Sequence, residues 1–445
     1  MSRMKSSRRH FLFGVAATSF ASLISPGIAR AKRHGAAGYG PLVPDRDGLL
    51  DLPRGFQYRV FSREGDAMVT GGIVPGSHDG MASFPAPRGQ SWLVRNHEID
   101  PDAVVEDGII PVPRIAGITY DPEGVGGTTT LLVDNAGKLV SDRVSLAGTI
   151  DNCAGGRTPW QTWLTCEETT DSLALPHGYV FEVDPSHGGN PAPIVAMGRF
   201  EHEAVSFTSQ GIAFLTEDAS GPHGCLYRFE PQQLLGGRGS LHAGGTLTAM
   251  KIAGVAQDLS EIQTPGIVLP VSFVSVPNPN PGDSDAPTRE QALANGATPI
   301  QKLEGTWRGP DGTIWFVSSR GDGPNAEDPE DISAAAHSGQ IWKYDPANQT
   351  VELVVRFPVG SPFDGPDNIT VGPHGFAVAC TDGEDDQWLV GITEDGRTFP
   401  LAFNRLNDEE FAGVTFSADG RTLFANIQGP PGLTFAIWGP WGAGS

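Results

Sequence analysis

Three acidic residues stand eight positions before a glycine that joins two apolar runs: Glu203 before Gly211, Glu304 before Gly312, and Asp367 before Gly375. A fourth segment of the same type, 412–427, turns at Gly420 and carries Glu410 ten positions before that glycine. Each segment reads as a strand, a tight turn and a second strand. Acids that recur at one register of a repeated hairpin converge if the hairpins surround a common axis. Several carboxylates gathered there would repel one another unless a cation neutralised them. The chemistry such a constellation offers is metal binding. Paired carboxylates without metal, as in glycosidases, are the alternative.

Other potential ligands stand at similar points. Glu98 follows the run Trp92 to His97, Glu168 closes Thr165-Cys166-Glu167, and Asp218 closes Thr216-Glu217. Carboxylate oxygens suit calcium, whereas a thiolate among them suits iron or zinc. Of the four cysteines, Cys166 and Cys380 lie in strand-like apolar runs and read as buried small side chains. Cys153 lies in Asp-Asn-Cys-Ala-Gly-Gly, which reads as a loop, and is expected to ligate a metal. No HExxH, GxSxG, Walker A or dinucleotide-binding motif occurs in a suitable context.

The element that would position these residues is a β-propeller blade. The last two turn glycines are 45 residues apart, the spacing expected of blades. The stretches 91–95, 128–133 and 178–184 supply further strands, and a Pro/Asn-rich insertion runs from Pro277 to Pro287. The expected fold is all-β: a six-bladed β-propeller, with seven blades or a β-sandwich array as the alternatives, whose inner strands bring the acids to a metal site on the central axis. With 58 glycines, 37 prolines and 18% charged residues, the composition favours short strands and turns over long amphipathic helices. The one helical stretch expected is short, from Thr288 to Asn295.

The first 31 residues differ. Arg8-Arg9-His10-Phe11-Leu12 precedes a mild apolar run and Ala29-Arg30-Ala31. This is the pattern of a twin-arginine signal peptide, which is too short to anchor the chain in a membrane. The expected division is a signal peptide over 1–31, a linker over 32–47 and one propeller domain over 48–445. The twin-arginine export machinery is a partner, and the location is periplasmic or secreted. Loss of the signal removes five basic residues and no acid, taking the formal charge from −22 to −27. Such a surface repels nucleic acid and anionic lipid.

Asn152-Cys-Ala-Gly-Gly, Thr158-Pro-Trp and Trp163-Leu-Thr-Cys-Glu-Glu168 together resemble the signature of the PhoX-type alkaline phosphatases. Gly198-Arg-Phe-Glu-His-Glu-Ala, Asp364-Gly-Pro-Asp-Asn-Ile and Glu410-Phe-Ala-Gly-Val-Thr-Phe belong to the same resemblance, which runs from about Leu49 to Trp441. It implies a metal-dependent hydrolase of small phosphomonoesters that works through a cluster of Fe3+ and Ca2+. It implies Cys153, Glu203 and Glu304 as iron ligands, and Glu98, Glu168, Asp218, Asp367 and Glu410 as ligands of calcium or as their supports. The chain departs from the family pattern at Lys302, where an arginine is expected. Lys302 would hold a phosphoryl oxygen as a point charge, with Arg308 or Arg320 as possible substitutes for the missing fork. Asn96 would donate a further hydrogen bond to the substrate. The rivals are a calcium-dependent propeller esterase or lactonase, and a non-catalytic propeller that calcium stabilises. Cys153 argues against the first, and the density of channel acids against the second.

Overall fold

The computed structural model describes residues 37–321, 336–383 and 386–443. The twin-arginine segment lies outside them. Among the described residues the chain forms antiparallel strands with two short α-helices, Pro101–Glu106 and Thr288–Ala294. None is long and apolar enough to cross a membrane. The segment read as a linker is, from Ala37 onward, part of the packed unit. Leu42–Val43 pairs with Leu50–Pro53, and the Tyr39 hydroxyl donates to the Trp441 carbonyl at 2.7 Å.

The strands form five sheets in a propeller-like arrangement. Three have four strands. They begin with His78–Pro85, Asn152–Arg157 and Phe411–Phe416. A six-stranded sheet begins with Pro366–Val371 and extends to the N-terminal strands Leu50–Pro53 and Leu42–Val43. A nine-stranded sheet contains two meanders, starting at His202–Phe207 and Leu303–Arg308, which meet edge to edge through Val268–Ser275 and Thr350–Arg356. The starting strands neighbour one another in a closed circle: His78, Asn152, His202, Leu303, Pro366, Phe411 and back to His78. The last sheet takes its outer strand, Gln57–Arg63, from the N-terminal part of the chain. Main-chain hydrogen bonds thereby tie the beginning of the described chain to its end.

The alternation of apolar residues that marked the hairpins places one face of each sheet against the next sheet. Between the sheets starting at Pro366 and Phe411 lie Phe376, Phe399, Leu401, Phe411, Leu423 and Phe435, all buried. Phe84, Trp163 and Phe181 fill the equivalent space between the first two sheets. Each such side chain contributes about 1.5–3 kcal/mol on burial, so stability rests chiefly on the layers between sheets. The helix expected near Thr288 is present, and Gly211, Gly312, Gly375 and Gly420 take the positive φ values their turns require.

Candidate metal centre

All six circle-forming strands carry a register shift at the same place, near their beginning. A bulge bends a strand and re-aims the side chain beside it. Each shift spans two residues, and the first of them are Asp79, Cys153, Glu203, Glu304, Asp367 and, one place further along its strand, Gly413. Five of these six can ligate a metal. At the sixth, Gly413 has φ +61 and a Cβ there would lie 2.5 Å from the Asp79 carbonyl, so the close approach of these strands excludes a side chain. Glu410, just before that strand, supplies a carboxylate instead.

A second set comes from the residues that immediately follow the neighbouring strands of the hairpins: Glu98, Glu168, Asp218, Ser319, Asp382 and Gln428. Antiparallel pairing puts these at the same end of the channel as the first set, since His97 pairs with His78 and Glu217 with His202. Together the two sets form four groups whose donor atoms lie within 4.8 Å of one another: Cys153, Glu168 and Glu203; Glu168, Asp218 and Glu304; Glu203, Glu304 and Asp367; and Asp79, Glu98 and Glu410. Glu168, Glu203 and Glu304 each belong to two groups, so three of the groups form a connected cluster, and Asp79, Glu98 and Glu410 form a separate group at the same end. All eight residues expected to bind metal fall in the four groups, six of them in the connected three.

The electrostatics match this crowding. Burial, then the charges of neighbouring carboxylates, push Asp79, Glu168, Glu203, Glu304 and Glu410 well above the usual carboxylate range. Asp367 is raised to about 7 and Asp382, at the rim, to about 6 by the same causes. Burial, then Glu203 and Glu168, raise the Cys153 thiol. Asp79 Oδ1 and Asp218 Oδ1 are buried without a hydrogen-bond partner. Polar partners hold other donors: the Ser319 hydroxyl donates to Glu304 at 2.7 Å, and the Gln428 amide donates to Glu98 at 2.6 Å and Asp79 at 3.0 Å. Unpartnered oxygens beside mutually repelling acids are what a cation would satisfy.

Lys302 stands at the mouth with its side chain half exposed. Its ammonium contacts Asp218 and lies 3.5 Å from Glu304. Burial works against its charge, but Glu304 and Asp218 outweigh that and raise its pKa. Lys302, Arg320, Glu304, Asp367 and Asp382 line a cavity of about 630 Å³, large enough for a small organic ligand.

Three expectations need correction. Asn96 is fully buried and its amide is already used. It donates to the Cys153 and Ala154 carbonyls at 3.0 and 2.7 Å, and its oxygen accepts the Trp163 indole N–H at 2.9 Å. Neither proton remains for a substrate, and Asn96 instead fixes the backbone that presents Cys153. Cys153 itself is in a strand, not a loop, with Sγ 3.3 Å from the His202 carbonyl. Arg308 sits at the far end of its strand from Glu304 and lines a different cavity. Within Glu201-His202-Glu203, only Glu203 enters the cluster. Glu201 pairs with Arg289 at 3.3 Å, and His202 stacks on Phe200 and is kept neutral by burial, its pKa lowered to about 3.

Asp79, Asp382 and the two polar supports were missed. Asp79 had the signal of the other repeats, an acid just inside a strand, but its hairpin turns at Arg88 and Gly89, beyond the eight-residue spacing. Cys153 shares that spacing: eight residues later Gln161 takes φ +68, where the other repeats have glycine.

A family model described as alkaline phosphatase PhoX matches residues 37–143 and 136–431. No curated protein sequence matches. Among solved structures, PhoX of Pseudomonas fluorescens in complex with vanadate, a transition state analogue, aligns with TM-score 0.70 at 17% identity, covering 91% of this chain and 98% of the other. A gluconolactonase of Xanthomonas campestris aligns with TM-score 0.46 at 12% identity over 91% and 98%. The family match spans most of the described chain: the protein belongs to the PhoX alkaline phosphatase family and is a phosphomonoester hydrolase.

Proposed function

We propose that the chain is an exported phosphatase whose reaction centre is the donor cluster where the circle-forming strands begin, on the axis of a six-bladed propeller. The six-blade reading is supported by the closed circle of six bulged strands. On it, the nine-stranded sheet is two blades merged at their outer edges, and the six-stranded sheet is one blade extended by N-terminal strands.

The donor chemistry fits two kinds of ion. Cys153, Glu168 and Glu203 combine a thiol with carboxylates and suit iron, whereas the all-oxygen groups suit calcium. When bound, such ions supply the Lewis acidity and positive charge that phosphoryl transfer requires. The protein's own part is to orient and to hold. Lys302, at the open side of the cluster, takes a phosphoryl oxygen of a small phosphomonoester in place of the Asp218 carboxylate it now touches. Ser319 keeps Glu304 in line, and Gln428 does the same for Glu98 and Asp79. Asn96 and Trp163 hold the Cys153 backbone rigid, so the thiol needs no rearrangement to ligate.

The observation that carries this reading is the sharing of Glu168, Glu203 and Glu304 between neighbouring donor groups. The test is aryl phosphate hydrolysis with metal content measured alongside. Chelation should abolish the activity, and iron with calcium should restore it. Full activity after exhaustive chelation would refute the metal centre. For export, replacing Arg8 and Arg9 by lysine should leave precursor in the cytoplasm, and normal periplasmic accumulation would refute the twin-arginine route.

A further inference from the structure

The circle-forming strands end, at the other mouth of the channel, in a second cavity of about 580 Å³. A neck of about 20 Å³, lined by Gly80, Ala154, Ala204, Gly305 and Gly413, lies along the same strands between the two ends. That is room for about one water molecule. The two cavities are thus chemically separate.

The chain has a formal charge of −22, yet among the described residues no aspartate or glutamate lines the second cavity, and two arginines do. Arg157 stands over the Phe84 ring at 5.2 Å and donates to the Gln161 side chain at 2.9 Å. Among the described residues neither Arg157 nor Arg308 forms an ion pair, and burial alone draws the Arg157 pKa down. Thr415, fully buried, also lines the cavity with a hydroxyl that no hydrogen bond satisfies. Phe207, Trp307 and Phe416 add apolar surface. Guanidinium groups match the geometry of carboxylate and phosphate oxygens, and aromatic rings accept an apolar body.

We propose that this turn-side cavity binds a small organic anion, its phosphate or carboxylate head on Arg157, Arg308 and Thr415 and its body against Trp307, Phe207 and Phe416. It is a second site, outside the metal cluster. The test is calorimetric titration of the metal-loaded full chain with phenylphosphonate and, separately, with benzoate. Two binding events per chain are expected for at least one of the probes. Arg308→Ala, a change at an exposed side chain that should leave the fold intact, should weaken one event about 10-fold or more. Glu304→Gln should leave that event in place. Tighter phenylphosphonate would assign a phosphate head, and tighter benzoate a carboxylate head. A single event with each probe, or an Arg308→Ala titration identical to the parent's, would overturn the proposal.

Discussion

At one end of the channel the circle-forming strands present Asp79, Cys153, Glu203, Glu304 and Asp367; at the other, the same strands present Ser206, Thr370, Thr415 and two arginines. The acid end is crowded with groups whose pKa values burial and repulsion drive upward. Burying one unneutralised carboxylate costs several kcal/mol, so the acid end opposes folding when no cation is present. The turn end, where short loops close each hairpin, has no carboxylate among the described residues that line its cavity, and the one burdened charge there is the Arg157 guanidinium. The apolar layers between sheets tolerate the load because they lie outside the channel. The contrast shows a fold whose apolar layers and donor groups are held by different parts of the same strands, as expected where a cluster of acids runs against local rules.

The largest effect should come from breaking the acid end. Cys153→Ala and Glu304→Gln should each lower kcat on an aryl phosphate by about 1000-fold, the scale of losing several kcal/mol of charge stabilisation. The folds should survive, as judged by unchanged circular dichroism. For Cys153→Ala, iron should be lost while calcium largely stays. Parental activity in either variant would remove that residue from the centre. Next in size is Lys302→Ala, which should raise KM about 10-fold or more through loss of a charge-assisted contact. Lys302→Arg should lower KM by a smaller factor, since a guanidinium can grip two oxygens. An unchanged KM in both would make Lys302 a partner of Asp218 and Glu304 only.

The smallest effect sharpens the electrostatic half of the contrast. Asp367 and Asp382 have folded pKa values raised to about 7 and about 6, above the usual 3.8. A raised carboxyl contributes its stability below its unfolded pKa and loses it as pH rises through the folded value. Metal-free protein should therefore melt lower as pH climbs from about 4 to 7, by a few °C relative to metal-loaded protein. Parallel melting curves for the two forms would show that the acids carry no such burden.

Much of this arrangement was legible in the chain. Glycine turns eight residues after Glu203, Glu304 and Asp367 disclosed three positions of one structural class, because a repeated hairpin repeats its register. The same rule failed at Asp79 because its turn comes later, and at Cys153 because Gln161 occupies the left-handed position that glycine fills elsewhere. Asn96 stands close before Glu98 in the chain, but its hydrogen bonds run to the neighbouring sheet, where Cys153, Ala154 and Trp163 use up its amide. Pairing between distant strands is invisible in a linear pattern. So is the edge contact that fuses two meanders into one nine-stranded sheet.

The most direct test of the metal centre is an anomalous difference map, collected at the iron absorption edge, from crystals of protein purified through its own export route. The prediction is a peak at bonding distance from Cys153 Sγ, with Glu203 and Glu168 around it. Its absence, or an iron peak away from Cys153, would contradict the account.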